Sequence, residues 1–166
     1  ILFLDQDRGI LQLDQETQLE ADLFLGVPPH WGPSFLGSSG LLDKNGWIEV
    51  DPSNLQTRNR YIYGIGDATS LRVPVSGALA PKAGIFAHFQ AEVVARNLAQ
   101  IIKGEKERFS YKGRGMCIYY TGAGRARYTS IDYYHKPMPK VKVTRPSKIA
   151  AWAKKAAERD FLKRWF

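Results

Sequence analysis

Residues 61–70, YIYGIGDATS, restrict the possible folds of this chain more than any other stretch. An apolar run ends there in Gly64, Ile65 and Gly66, and a strand that ends on glycines lets the backbone approach a ligand closely. A dinucleotide-binding turn needs a third glycine and opens a helix at once, whereas Gly66 is followed by Asp67 and a proline-interrupted loop. A carboxylate repels phosphate but accepts a hydrogen bond from a sugar or polyol hydroxyl. The stretch therefore predicts either a polyol-binding turn or an ordinary tight turn with a solvated Asp67.

A long helix is predicted downstream, at about residues 82–103. Pro81 suits its first turn, and Lys103-Gly104 is a good stop. Apolar residues recur at helical spacing between them, at Ile85, Phe89, Val93, Leu98 and Ile101. The free N–H groups at such a helix start favour electron-rich atoms. A polyol at Asp67 with an electron-rich group at residues 81–84 describes a flavin nucleotide, with its ribityl chain and the pyrimidine edge of its ring.

Strands are predicted on both sides of this region. Two short ones fall at residues 10–13 and 23–27, and the second is read as buried; two more fall at residues 46–51 and 60–67. Residues 109–135 alternate β-branched and aromatic residues with glycines, which indicates two or three antiparallel strands with GAGRAR as a hairpin turn. A C-terminal helix follows, with Ser147 as its N-cap.

Charge is concentrated at one end of the 166-residue chain. Residues 1–100 carry 7 Lys and Arg against 11 Asp and Glu, whereas residues 101–166 carry 17 against 5. The single cysteine excludes an internal disulfide and a Cys-rich zinc site, and the three histidines are scattered, so no metal site is expected. His30 and His88 are interpreted as structural, with His88 packed inside the helix. Without a visible secretory leader or apolar span, we expect a cytoplasmic protein, or one peripheral on the inner face of a membrane.

YIYGIGDATS followed by APKAGIFAHFQAEVVARNLAQII resembles the second FAD-binding segment of the pyridine nucleotide–disulfide oxidoreductase superfamily. Within it, the chain resembles the sulfide:quinone oxidoreductase-like branch, and ADLFLGVPPH, SGLLDKNGWIEVD and GRGMCIYYTGAGRA fit the same pattern. The resemblance implies an α/β fold, α+β as a fragment: the C-terminal part of a two-Rossmann-domain flavoprotein with a small antiparallel sheet and a C-terminal helix. The N-terminal part, with the loop that binds the FAD pyrophosphate, would be absent.

Four segments follow from this resemblance. Residues 1–45 would end a nucleotide-binding domain and cross over, and residues 46–104 would complete the FAD-binding domain. Residues 105–146 would form the antiparallel β segment, and residues 147–166 an amphipathic helix.

The resemblance also implies site residues. Asp67 would bind the ribityl chain of FAD and Gly66 would line it, while Lys82, Ala83 and Gly84 would bring the helix start to the flavin. Cys117 matches a late cysteine that carries sulfur beside the flavin, although such chemistry uses a pair and the second cysteine is not in this chain. The other interpretation of Cys117 is a small buried hydrophobe.

The implied function is a FAD-dependent oxidoreductase that passes electrons from sulfide or NAD(P)H through flavin to a quinone or another small acceptor, with the isolated fragment inactive. The alternative is a non-catalytic basic module that binds membrane lipid or nucleic acid, although the resemblance gives no reason to expect nucleic acid. Residues 148–166 suit an anionic membrane surface, because basic residues accompany an apolar stripe of Ile149, Trp152, Ala153, Ala156, Ala157, Phe161, Leu162, Trp165 and Phe166. The same helix would also suit packing on its own domain.

Overall fold

The computed structural model describes residues 3–5, 7–27 and 29–166. The chain forms two compact units, Ile1–His30 and Trp31–Phe166. We describe each by itself. The four predicted segments stay a prediction.

The first unit contains a small antiparallel sheet. Its strands β1 (Phe3–Asp5), β2 (Ile10–Gln12) and β3 (Gln18–Glu20) pair in chain order. The predicted strand at residues 10–13 is confirmed as β2. The predicted buried strand at residues 23–27 is wrong: these residues join no ladder, and Leu25 and Val27 are 90% and 84% exposed.

The second unit begins with turns and isolated bridges. Leu42 pairs with Ile48, Ile48 with Thr69, and Gln56 with Tyr63. The strands predicted at residues 46–51 and 60–67 are therefore wrong as regular strands. Turns recur every few residues and interrupt each ladder. Leu55 directly follows one such turn, where it is fully buried and has a left-handed φ of 67°.

Helix α1 (Gly84–Ile102) confirms the predicted helix. Its buried residues are Phe86, Gln90, Val94 and Asn97. The predicted stripe is confirmed in part: Phe89 and Val93 pack against the core, whereas Leu98 and Ile101 are 39% and 45% exposed. Val94 joins this helix to a core that also contains Ile48, Val50, Leu55, Leu71 and Tyr111.

A second antiparallel sheet follows, with strands β4 (Arg114–Gly122), β5 (Arg125–Asp132) and β6 (Lys140–Val143) in that order. Gly122 and Gly124 have positive φ in the tight turn between β4 and β5, which confirms GAGRAR as a hairpin turn. A side chain at Gly115 would collide with the Phe86 ring, so α1 lies against one face of this sheet.

Helix α2 (Lys148–Trp165) begins at Ser147, whose Oγ accepts the Ala150 N–H at 3.0 Å and confirms the predicted cap. Its first turn packs on the opposite face of the sheet, where Ala150 and Ala151 contact the fully buried Ala126.

The described chain thus consists of two helices and two three-stranded antiparallel sheets. This is the mixed α+β form predicted for a fragment. Within the described residues, neither helix is long and apolar enough to cross a bilayer.

Candidate functional site

The structure brings the predicted glycine turn and the start of α1 together. Gly66–Ala68 form a short 3₁₀ turn, and the Gly66 N–H donates a 2.6 Å hydrogen bond to the side-chain carbonyl of Gln90 in α1. Gly66 has a φ of 66°, and a Cβ there would lie 3.2 Å from the Ala87 Cβ. The positive φ favours glycine in this turn, and a side chain there would crowd the neighbouring helix.

Asp67 is the central residue of this turn and is exposed. Its carboxylate makes no hydrogen bond or ion pair within residues 3–5, 7–27 and 29–166. Both carboxylate oxygens are thus available to a hydroxyl-bearing ligand.

The first turn of α1, which follows cleft residue Ala83, contains backbone donors that are not used among the residues that the structure describes. The Ala83 carbonyl accepts the N–H groups of Phe86 and Ala87 at 2.9 and 3.2 Å. The N–H groups of Gly84 and Ile85 have no partner in the described part of the chain. A Cβ on Gly84 would meet nothing within 4 Å. The helix start is therefore open, with two free donors at its positive end.

Lys82 holds the turn rather than reaching outward. Its ammonium group donates to the carbonyl oxygens of Asp67 and Thr69, the latter at 3.0 Å, and lies 3.5 Å from the centre of the Trp47 ring. Burial lowers the pKa of Lys82, and the carboxylates of Asp67 and Asp43 oppose that shift. Lys82 therefore ties three chain segments together.

The cleft between the turn and the helix start is small. It is lined by Gly66, Asp67, Thr69, Leu71, Ala80, Pro81, Lys82, Ala83, Phe86, Ala87 and Gln90, and its volume is about 10 Å³. That is room for about one water molecule. A ligand of flavin size would have to lie across the outer surface formed by Asp67 and residues 81–84, not inside the cleft.

Cys117 lies elsewhere, on β4. Its thiol is exposed, so the interpretation of Cys117 as a buried hydrophobe is wrong. It borders a mainly apolar groove of about 500 Å³, lined also by Ile85, Met116, Ile118, Lys154, Ala157, Glu158, Phe161 and Leu162. Lys154 and Glu158 form an ion pair at 3.0 Å in this groove.

The two histidines that were interpreted as structural are both exposed. The prediction that His88 is packed is wrong, although its ring contacts Phe89 with centroids 5.6 Å apart. Across the described residues, no three His, Cys, Asp or Glu side chains come together as metal ligands.

The chain is similar in sequence to two curated proteins. Mitochondrial sulfide:quinone oxidoreductase from Mus musculus is 32% identical over 114 residues, and the same enzyme from Schizosaccharomyces pombe is 32% identical over 117 residues. The chain is distantly similar to the C-terminal region of sulfide:quinone oxidoreductase. The alignments cover 68% and 70% of this chain but only 24% of each relative, so the chain spans about a quarter of the length of these sulfide:quinone oxidoreductases. The predicted resemblance is confirmed.

Two further comparisons concern the fold. No protein-family profile matches the chain. A chain in the mitochondrial ATP synthase F1Fo structure of Tetrahymena thermophila aligns with 71% of this chain and 27% of its own length, with a TM-score of 0.58 and 24% identity. At that identity the likeness concerns the fold alone. None of the comparisons tests the individual site residues, so Gly66, Asp67, Lys82, Ala83, Gly84 and Cys117 stay predictions.

Proposed function

We propose that the chain is the C-terminal, flavin-contacting part of a FAD-dependent oxidoreductase that passes electrons from sulfide or NAD(P)H through flavin to a quinone. One observation carries the proposal: Asp67, whose carboxylate has no partner among the described residues, lines the same cleft as Pro81, Lys82 and Ala83, which lead into the start of α1. The similarity to sulfide:quinone oxidoreductase supports it.

The residues present suit a flavin. Asp67 would accept hydrogen bonds from ribityl hydroxyls, and the N–H groups of Gly84 and Ile85 would donate to the electron-rich edge of the ring. The absence of a side chain at Gly84 leaves room for that approach. Bound flavin would supply the electron-transfer chemistry, while the protein supplies orientation and electrostatics.

Two further residues would position this surface. Gln90 fixes the Gly66 N–H, and Lys82 fixes the Asp67 and Thr69 carbonyl groups. Both act on the backbone on either side of the Asp67 side chain. They would keep Asp67 directed outward without contacting the flavin.

Cys117 would serve the sulfide-dependent form of the reaction. Its exposed thiol borders the apolar groove between β4, α1 and α2, and sulfide would reach the thiol through this groove. A second cysteine would have to come from another part of the polypeptide, because this chain contains one.

We further propose that the protein lies on an inner membrane surface, where quinone is available. Both curated relatives are described as mitochondrial. The bulky apolar residues of α2 are exposed beside its Lys and Arg residues, which suits an anionic interface. The cytoplasmic localisation expected from the sequence stays a prediction.

The flavin proposal is tested by Asp67→Ala in the full-length polypeptide. Loss of one charged hydrogen bond costs about 1.5–3 kcal/mol, so FAD affinity should fall roughly 10–150-fold. Bound flavin per chain is measured after dilution. Asp22→Ala is the matched control, because Asp22 is also an exposed aspartate but lies in the first unit. Equal flavin retention by parent and Asp67→Ala would remove the ribityl role of Asp67.

The alternative function, a non-catalytic basic module, gives a different result. The full-length protein would then be colourless, and it would bind polyanions with strong salt dependence.

A further inference from the structure

The second sheet carries a cationic groove away from the residues that would contact flavin. The register pairs Arg114 with Asp132 and Asp132 with Lys140 across the three strands. The next row of that face consists of Met116, Ser130 and Lys142. Directly paired residues in an antiparallel sheet point to the same face, so all six side chains share one side. Five of these six residues, all but Met116, line a groove of about 330 Å³. Gly115, Ile131 and His135 complete its lining.

The charges in this groove do not balance. Arg114, Lys140 and Lys142 face one carboxylate, Asp132. That carboxylate is taken by the Arg114 Nε at 3.0 Å. The terminal nitrogens of Arg114 and the ammonium groups of Lys140 and Lys142 have no hydrogen bond or ion pair in the part of the chain that the structure describes.

The Arg114–Asp132 pair also orients the guanidinium. Because Asp132 binds Nε, the two terminal nitrogens are left as a planar pair of donors, the arrangement that binds two oxygens at once. Asp132 is the less exposed partner, with its side chain 24% exposed against 74% for Arg114. The carboxylate thus anchors the arginine and leaves its outer edge to a ligand.

The spacing suits an anion of about the size of phosphate. Neighbouring strands lie about 4.8 Å apart, so Arg114 on β4 and Lys140 on β6 attach about 10 Å apart with β5 between them. Both side chains line the groove, and the Ser130 hydroxyl offers a further donor there. A phosphate group has several oxygens for such a donor set and carries up to two negative charges.

We propose that this groove binds the phosphate group of a soluble phosphorylated ligand or of an anionic lipid headgroup. The donors are the Arg114 guanidinium, the Lys140 and Lys142 ammonium groups and the Ser130 hydroxyl. The site is independent of the proposed flavin contacts, because it shares no residue with them.

The first test compares two double variants in titrations of the full chain with inorganic pyrophosphate. Lys140→Gln/Lys142→Gln removes two groove charges, and Lys44→Gln/Lys103→Gln removes two exposed charges elsewhere. The groove variant should bind roughly tenfold more weakly, and the control variant should bind like the parent. Equal weakening by both variants would show attraction by net charge alone and would overturn the proposal.

The second test uses the same proteins with phosphatidylcholine vesicles that do or do not contain phosphatidic acid. A groove-dependent loss with vesicles alone identifies a lipid headgroup, and a loss with pyrophosphate alone identifies a soluble ligand. Arg114→Lys keeps the charge but loses the paired donors, so it should weaken whichever probe binds. The proposal fails if Arg114→Lys binds like the parent, or if neither probe binds the parent.

Discussion

The side-chain carbonyl of Gln90 accepts the Gly66 N–H at 2.6 Å, although 24 residues separate them in sequence. Gln90 is only 4% exposed, and it lies in the second turn of α1. This bond joins the helix to the turn that carries Asp67. If the Gln90 amide is removed, the Gly66 N–H is left without a partner. The free-energy cost of that unpaired N–H exceeds the net stability that the hydrogen bond contributes.

Gln90→Leu should therefore lower the free energy of unfolding by about 1–3 kcal/mol. It should also reduce flavin retention, because the turn beside Asp67 loses its anchor. Urea unfolding followed by fluorescence measures the first effect, and bound flavin per chain measures the second. His88→Leu is the control, since it replaces an exposed polar side chain of the same helix with the same residue. A Gln90→Leu variant as stable as the His88→Leu variant would contradict a structural role for this bond.

Sequence patterns predicted α1, α2 and the β4–β5 hairpin because their signals are local. Ser147 caps its own helix, and the tight turn between Gly122 and Arg125 consists of Ala123 and Gly124, both with positive φ. The strands predicted at residues 46–51 and 60–67 failed for a non-local reason. Their ladders contain single pairs such as Ile48 with Thr69, and buried contacts with α1 stabilise that region instead of regular pairing.

Polar residues within the apolar face of α1 were the missed signal. Asn97 is fully buried, and its side chain binds the backbone of Phe109 at both its N–H and its carbonyl group. Gln90 follows Phe86 by one turn on the same face. A polar residue inside a buried stripe must have a partner. That requirement identifies Gln90 and Asn97 as anchors, but the sequence does not say which distant backbone groups they bind.

Tyr63 predicts a pH dependence of stability. Burial raises its pKa to about 12 from 10, and the hydrogen bond to Glu107 adds to the shift. The folded state thus favours the neutral phenol, so the stability from Tyr63 is fully present below pH 10 and is lost as pH rises towards 12. Tyr63→Phe should be less stable than the parent at about pH 9, and the difference should shrink by about pH 11.5 in urea unfolding. Tyr61→Phe serves as the exposed control. If the difference in unfolding free energy between parent and Tyr63→Phe does not change with pH, the raised pKa of Tyr63 is contradicted.

Cys117 predicts a separation between two routes of flavin reduction in the full-length protein. If sulfide is the donor, Cys117→Ser should abolish sulfide-dependent reduction, because the proposed route carries the sulfur on Cys117 and delivers its two electrons to the flavin. Reduction by dithionite should continue, since it needs no thiol. Stopped-flow absorbance of the flavin measures both rates. Met116→Leu is the control, because Met116 lines the same groove and its substitution leaves the thiol in place. Its rate of sulfide-dependent reduction should equal that of the parent. Equal sulfide rates in Cys117→Ser and parent would remove the sulfur-carrying role.

Helix α2 divides into a packed start and an exposed remainder. Ala150 and Ala151 are buried against Ala126, so deletion of residues 148–166 would uncover the core of the sheet. From Glu158 onward every residue is exposed, and Trp165 and Phe166 are 66% and 95% exposed. Substitutions at the exposed end therefore test membrane contact without removing the packed turn.

Trp165→Ser/Phe166→Ser should lower binding to anionic liposomes about tenfold, because two aromatic side chains no longer enter the interface. Flavin content and unfolding should be unchanged, since neither side chain is buried. Trp31→Ser/Phe35→Ser is the matched control: it removes the same residue types, exposed 83% and 82%, from residues 31–35, which lie outside α2. Binding by the parent should also weaken as salt rises, because the Lys and Arg residues of α2 are screened. Cosedimentation measures the liposome binding of the parent and of both double variants. If the two double variants lose binding equally, exposed aromatic area in general is responsible, and α2 is not the membrane-contacting element.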